Sequence, residues 1–281
     1  MKRYASFTLK QAGWKYEGGN RVTIQGATYK FSLSRPVAGD IKTVTVKRDR
    51  VGQLWVCFSV VMDVDWPESG EASTGKSGGF DFGLKTFLTD HEGNAYHSPQ
   101  CLKAELNEIA RLNREVSRKQ KGSNNRRKAK GRLAKAHARI ANKRRDTHWK
   151  LAHRLCARFD LICVETLNLD GMKRLWGRKV SDLGFGEFVD ILHQVADKTG
   201  TRVIQVGRWE PTSERCANCS SRQELALSER HFNCPDCDWS CHRDQNAALN
   251  ILAAGTAAIA AGASAAGLGD VRRSSASAVS A

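Results

Sequence analysis

The sequence predicts an α/β fold: a mixed core over residues 78–254, carrying two insertions and preceded by a small all-β segment. Three observations carry this. Short apolar strands alternate with amphipathic helices from residue 78 onward. A long central stretch is helical by period and strongly basic. Two Cys-x2-Cys pairs then mark a compact second insertion ahead of the last helix.

Within residues 1–65, Tyr29, Phe31 and Leu33 alternate with polar neighbours, and strands at 44–46 and 55–61 flank the turn Asp49-Arg50-Val51-Gly52. Residues 66–77 read as a linker, rich in Gly and Ser from Glu68 onward. Residues 78–82 and 86–89 form short strands about Gly83. From 102 to 158, Leu102, Leu106, Ile109, Leu112 and Val116 recur three or four apart. Gly122-Ser123-Asn124-Asn125 interrupts them, and Leu133, Ile140, Thr147, Leu151 and Leu155 resume the stripe. Two long antiparallel helices with one apolar seam follow from that pattern. A buried-type strand at 161–164, a helix at 181–198 and a strand at 202–206 come next. The cysteine insertion occupies 211–241, a final helix runs from 242 to 254, and the Ala/Ser/Gly-rich residues 255–281 read as a disordered tail.

Charge is concentrated rather than spread. The 281 residues carry 45 Lys+Arg against 29 Asp+Glu, a formal +16. Residues 102–158 alone hold 19 Lys+Arg and 4 acids, a net +15. A surface kept soluble by charge would mix both signs; this one suits a polyanion, and nucleic acid is the commonest. Arg126, Arg127, Lys128, Lys130 and Arg132 form the densest contact point. His137, His148 and His153 lie on the same helices and are expected to face phosphate or water. Mean hydropathy is −0.48, the first residues contain no apolar run of signal-peptide type, and the Ala/Gly stretch near the end lacks the Leu, Ile and Phe that drive insertion. Neither secretion nor a membrane partner is expected. Nine cysteines in a chain of this length suggest metal in a reducing, cytoplasmic compartment.

Cys216, Cys219, Cys234 and Cys237, with 14 residues between the pairs, have the spacing of a tetrahedral zinc site held by four thiolates. Such a site is closed, so its Zn2+ is structural. Cys241 is near enough to be a rival ligand, while Cys57 and Cys163 fit core strands and Cys101 and Cys156 call for no special role. Three acids stand out. Asp81 lies between Phe80 and Phe82, where a carboxylate is costly to bury without a cation or hydrogen bonds. Glu165 ends the apolar strand Leu161-Ile162-Cys163-Val164, and Asp244 opens the last helix. Three acids from three elements are what a Mg2+-dependent nuclease needs, since hard Mg2+ prefers oxygen ligands. Taken singly, each also fits a plain reading as a turn, strand-end or helix N-terminal acid.

The order GGFDFGLKTFLTD, LICVETLNLDGM, CANC, CPDC and HRDQNAALNIL resembles the later half of TnpB proteins, the transposon-encoded relatives of type V CRISPR effectors. The resemblance covers roughly residues 35–252. It implies an RNase H-like (RuvC) nuclease core with Asp81, Glu165 and Asp244 as ligands of catalytic Mg2+. It also implies a zinc ribbon at the four cysteines, basic helices lining a channel for RNA and DNA, and a wedge-like β domain before residue 65. The activity implied is RNA-guided DNA endonuclease, the guide RNA coming from the transposon end. The alternative is a non-cleaving nucleic-acid-binding regulator of transposition or transcription. A zinc-ribbon protein of RNA assemblies leaves Asp81 without a reason. A tyrosine recombinase is not indicated, because Tyr4, Tyr16, Tyr29 and Tyr96 have no basic cluster around them.

The chain departs from the family pattern in four places. His242-Arg243-Asp244 stands where Asp-Arg-Asp is usual. Ser220 and Asp238 follow the cysteine pairs where glycine is frequent, a change that strains the turns. The residues after Ala254 have no counterpart in the motifs. Finally, the resemblance implies a strand and a helical recognition region ahead of Met1, so that the chain enters midway through the wedge.

Overall fold

The computed structural model describes residues 5–62, 74–226 and 228–261. These cluster into two compact units, one of residues 5–62 with 119–135, the other of 74–118 with 136–261. The expected linker at 66–77 lies mostly outside the described residues. Among the described residues no helix is long and apolar enough to cross a membrane.

The first unit holds β1 (Ser6–Leu9), β2 (Trp14–Tyr16), β3 (Arg21–Ile24), β4 (Ala27–Lys30), β5 (Asp40–Arg48) and β6 (Leu54–Val61). They make two antiparallel sheets, β1-β5-β6 and β2-β3-β4. The turn at 49–52 is as expected: the Asp49 carboxylate accepts the N–H groups of Val51 and Gln53 and the indole N–H of Trp55. The strand expected through Phe31 and Leu33 stops earlier. Arg21, the first residue of β3, pairs with Lys30, so β4 runs out of partner there. Phe31 instead packs near Phe58 at 5.7 Å, and Leu33 is exposed.

The second unit contains β7 (Ser77–Phe82), β8 (Leu88–Asp90), β9 (Ala95–Tyr96), α1 (Cys101–Ala104) and α2 (Leu106–Ser117). Helix α3 (Asn124–Cys156) begins in the first unit and continues into the second, because 33 residues span about 50 Å. The basic insertion, expected as one piece of the core, is therefore divided between the units. There follow β10 (Leu161–Glu165), α4 (Leu169–Leu183), α5 (Phe185–Thr199), β11 (Arg202–Val206), β12 (His231–Asn233), β13 (Ser240–His242) and α6 (Arg243–Ala260). The five-stranded sheet has the order β11-β10-β7-β8-β9, with β7, β10 and β11 parallel and β8 and β9 antiparallel.

Alternation along the strands gives the sheet two different faces. Phe80, Phe82, Ile162, Val164 and Val203 enter the main core with Leu151 and Leu155 of α3 and Phe188, Leu192 and Val195 of α5. Gly79, Asp81, Cys163 and Glu165 take the opposite face, which α6 covers. A Cβ on Gly79 would lie 2.7 Å from Leu252 Cβ and 2.8 Å from its N, so α6 sits on β7 at glycine distance. Gly79→Ala is expected to cost about 1–3 kcal/mol by overpacking, read as a lower denaturation midpoint at unchanged slope; an unaltered midpoint would refute the tight seat.

Further features differ from expectation. The helix expected at 181–198 is two helices, α4 and α5, meeting at Gly184, whose φ of 65° lets one residue end the first and open the second. Sequence hid α4 because Gly171, Gly177 and four cations dilute its apolar stripe. Asn168 caps it by accepting the Gly171 N–H, and it kinks at Trp176. Helix α6 runs to Ala260 rather than 254, since alanine sustains a helix without apolar periodicity. The expected tail thus begins later than 255, and residues 262–281 lie outside those described. His148 faces neither phosphate nor water. It is buried, stacked on Phe87 at 5.4 Å, with Nε2 at 3.1 Å from the Leu183 carbonyl and Nδ1 without a partner. Burial holds it neutral, its pKa pushed down to about 4.

Candidate active site and metal cluster

Asp81 and Glu165 come together through strand register. Val164 pairs with Phe80 in parallel, so the next residue of each strand, at its C-terminal end, faces the same side. The two carboxyls share a hydrogen bond, and the Phe82 N–H donates to Glu165 Oε1 at 3.3 Å. Asp244, in the first turn of α6, completes the group by charge. Burial, then the neighbouring Glu165 and Asp244, raise the Asp81 pKa well above the usual carboxylate range. Glu165 is pushed up to about 7, chiefly by burial, with Asp244 adding repulsion. Arg243 is the cation that offsets part of this charge. Sequence reasoning missed Arg243, although its place beside Asp244 was visible.

The four cysteines form a tighter assembly. Among the described residues theirs is the cluster whose ligand atoms all lie within 4.8 Å of one another; the three carboxylates gather more loosely. Cys216 Sγ is 3.7 Å from Cys237 Sγ, and Cys219 Sγ 3.5 Å from Cys234 Sγ. Four sulfurs around Zn2+ at its usual bond length would be about 3.8 Å apart. The Ser221 hydroxyl lowers the Cys234 thiol to about 6, while burial pushes Cys216 up to about 12. A thiol cluster this crowded does not hold four negative charges without a cation, so the donor set fits zinc. Cys241 is outside it, packed beside Phe232 and Trp239. Ser220 and Asp238 adopt φ of 66° and 56°, the left-handed backbone expected where glycine is frequent.

Of the five cations singled out on α3, Arg126, Arg127 and Lys130 join Lys121 around a cavity of about 410 Å³ at the α2–α3 turn. Lys128 and Arg132 are not in its lining. Ser123 accepts the Arg126 N–H, and the Arg126 guanidinium donates to the Lys119 carbonyl, holding the turn in place. Helix α4 adds a group that sequence reasoning missed along with the helix: Lys173, Arg174, Arg178 and Lys179 are exposed around exposed Leu175 and Trp176. No ion pair within the described residues involves these four cations.

A family model described as "Probable transposase" matches residues 59–175, and one described as "Cas12f1-like, TNB domain" matches 185–251. The chain is 33% identical over 243 residues to a Streptomyces pristinaespiralis protein named "Putative RNA-guided DNA endonuclease", covering 85% of this chain and 59% of that one. It is 31% identical over 242 residues to "TnpB-like protein L79" of Acanthamoeba polyphaga mimivirus, covering 80% and 46%. The chain spans about half the length of these curated relatives. A solved Cas12f1–sgRNA–target DNA complex is a looser likeness, with a TM-score of 0.48 at 18% identity over 75% of this chain and 45% of that one.

Proposed function

Because the chain belongs to the TnpB family, we propose that it carries the nuclease half of an RNA-guided DNA endonuclease, cutting DNA by phosphodiester hydrolysis. One observation carries the reading: acids from β7, β10 and α6 converge at one end of the five-stranded sheet. The sheet order, three parallel strands flanked by an antiparallel pair, supports an RNase H-like (RuvC) core.

Asp81, Glu165 and Asp244 would hold Mg2+. All donors are carboxylate oxygens, the hard set that ion takes, and burial together with the neighbouring acids raises the proton affinities of Asp81 and Glu165, a cost that a divalent cation relieves. Bound there, the ion would act as a Lewis acid on the scissile phosphate and stabilise charge on the oxygens of an in-line displacement. The chain's own contributions are distinct. Phe82 N–H orients Glu165, and Arg243 limits the charge that builds up around Asp81. In-line attack by water would leave a 3′-hydroxyl and a 5′-phosphate. Cys216, Cys219, Cys234 and Cys237 would hold a structural Zn2+.

The cations at the α2–α3 turn are assigned to phosphates of guide RNA or target DNA, and those of α4 are a second set suited to the same contact. Replacing Arg126, Arg127 and Lys130 with alanine is expected to weaken single-stranded nucleic-acid binding and to lower the slope of log K against log salt by about 2, roughly 0.7 per lost contact. An unchanged slope would remove this turn from the interface. The guide reading is tested by sequencing RNA that co-purifies with the chain from its native host at high salt. A discrete structured RNA ending in a variable segment is expected; heterogeneous RNA, or none, would refute guided function in this chain.

A further inference from the structure

Helix α6 is held from two sides. Toward the sheet, Ala248, Leu252 and Gly255 lie against Gly79 and Cys163. On the other side two asparagines reach the cysteine module. Asn246, fully buried, donates from Nδ2 to the Arg215 carbonyl at 2.7 Å and accepts at Oδ1 from the Ala217 N–H at 3.0 Å. One turn later, Asn250 Nδ2 donates to the carbonyls of Thr212 and Arg215 at 2.8 and 2.7 Å. At 3.6 residues per turn, Asn246 sits about 200° around the helix from Asp244. Arg215 and Ala217 bracket Cys216, so the two asparagines pin the first cysteine turn to α6.

The second cysteine turn enters the helix directly. Cys234 N–H donates to the Trp239 carbonyl, and β13 leaves that turn paired with β12. The ladder continues into the first residue of α6, where Arg243 N–H donates to the Arg230 carbonyl at 2.8 Å. His242 Nδ1 then accepts the Asp244 N–H at 3.3 Å and caps the helix. The apolar seat of α6 is made by Ala247, Ala248 and Ile251 without help from any of these bonds. The His242 cap, the Arg243 bond and Asn246 hold the first turn, in which Asp244 lies, and Asn250 holds the turn that follows it. Among the described residues the module's buried core is Cys216, Phe232 and Cys234, a core small enough that its closure leans on the four sulfurs.

We propose that Asn246 and Asn250 are positioning residues for Asp244: they couple the closed cysteine cluster to the acidic site and thereby set its affinity for a divalent cation. The proposal rests on reading Asp81, Glu165 and Asp244 as a cation site. An open cluster would release both asparagines, free the cap and let Asp244 leave its place beside Asp81 and Glu165.

The test titrates Mn2+, which suits the same carboxylate ligands, into the full zinc-loaded chain and follows free Mn2+ by electron paramagnetic resonance. Replacement of a ligand's supporting partner commonly costs about 10–100-fold in metal affinity. Asn250→Ala is expected to weaken Mn2+ binding by about tenfold on that scale, with Asn246→Ala larger. Asn250→Gln, which keeps a donor, is expected to recover more than Asn250→Asp, which has none. The thiolate absorption of Co2+-loaded Asn250→Ala should match wild type, with far-UV circular dichroism unchanged. If Asn246→Ala does not fold, Asn250→Ala, at a partly exposed position, carries the test alone. Wild-type affinity in Asn250→Ala, beside weak binding in Asp244→Asn, would overturn the coupling while the cation site stands. Equal binding by wild type and Asp244→Asn would overturn the cation site itself, and the coupling with it. Mn2+ affinity lost only in proportion to lost ellipticity would also overturn it, as plain unfolding.

Discussion

Asp81→Asn is expected to abolish divalent-cation-dependent cleavage of DNA while leaving nucleic-acid affinity within about twofold of wild type. The substitution keeps the shape of the side chain and removes one of three charges that hold the cation. Cation stabilisation of the displaced phosphate is worth several kcal/mol, so a loss of about a thousandfold or more in rate is expected. Affinity is expected to be spared because the cations proposed to hold phosphate lie on α3 and α4. Equal cleavage by wild type and variant would sink the assignment.

The same variant has a second readout with no divalent ion present. Both carboxyls have raised pKa values in the folded chain, so between pH 4.5 and about 7 the folded state keeps protons that the unfolded chain has released. Stability therefore falls as pH rises through that window. Asp81→Asn removes a carboxyl whose ionisation the burial and the neighbouring acids oppose, and is expected to leave the apo protein at least as stable as wild type at pH 8. Added Mg2+ should raise the melting temperature of wild type and scarcely that of the variant. A wild type more stable than Asp81→Asn at pH 8 without metal would contradict the electrostatics of the site.

Cys216→Ser is expected to lose zinc and open the cysteine module while the main core remains folded. Structural zinc contributes on the order of 10–16 kcal/mol to small modules of this kind, far more than the few apolar residues around Phe232 can supply. The expected observation is about one zinc per wild-type chain, none in Cys216→Ser, and protease cuts in the variant confined to residues 211–242. Cys241→Ser should keep its zinc, because Cys241 lies outside the four-sulfur cluster. Zinc retained by Cys216→Ser and lost by Cys241→Ser would reverse the ligand assignment.

Much of this was readable from residues alone, for identifiable reasons. The cysteine cluster was legible because metal-ligand spacing is local: each pair closes its own turn, so tertiary context adds little. Strand 161–164 was legible because a strand buried on both faces reads as a continuous apolar run. Helix α4 was not, since its cations and glycines blur the period and it packs by only a few positions, among them Val180 and Leu183. His148 was misplaced because helical spacing gives a residue's angle around an axis, whereas the partner across that face, here Phe87, comes from the β7–β8 turn about sixty residues away. The acids could be nominated singly, but only the β7–β10 register brings Asp81 to Glu165. Asn246 and Asn250 carried a faint signal: two amides one helical turn apart, the first with an alanine pair directly after it.

The sheet order also bears on how quickly the chain can fold. Strands β7 and β10 are neighbours in the sheet, yet residues 83–160 lie between them. Closing a floppy loop of that length costs about 4 kcal/mol in chain entropy. The meander β7-β8-β9 and the helices of the insertion can form from local contacts beforehand, with helix growth in microseconds or less. A preformed insert shortens the slack that remains to be closed, so the long basic helix acts as a folding splint for the strands that bear Asp81 and Glu165.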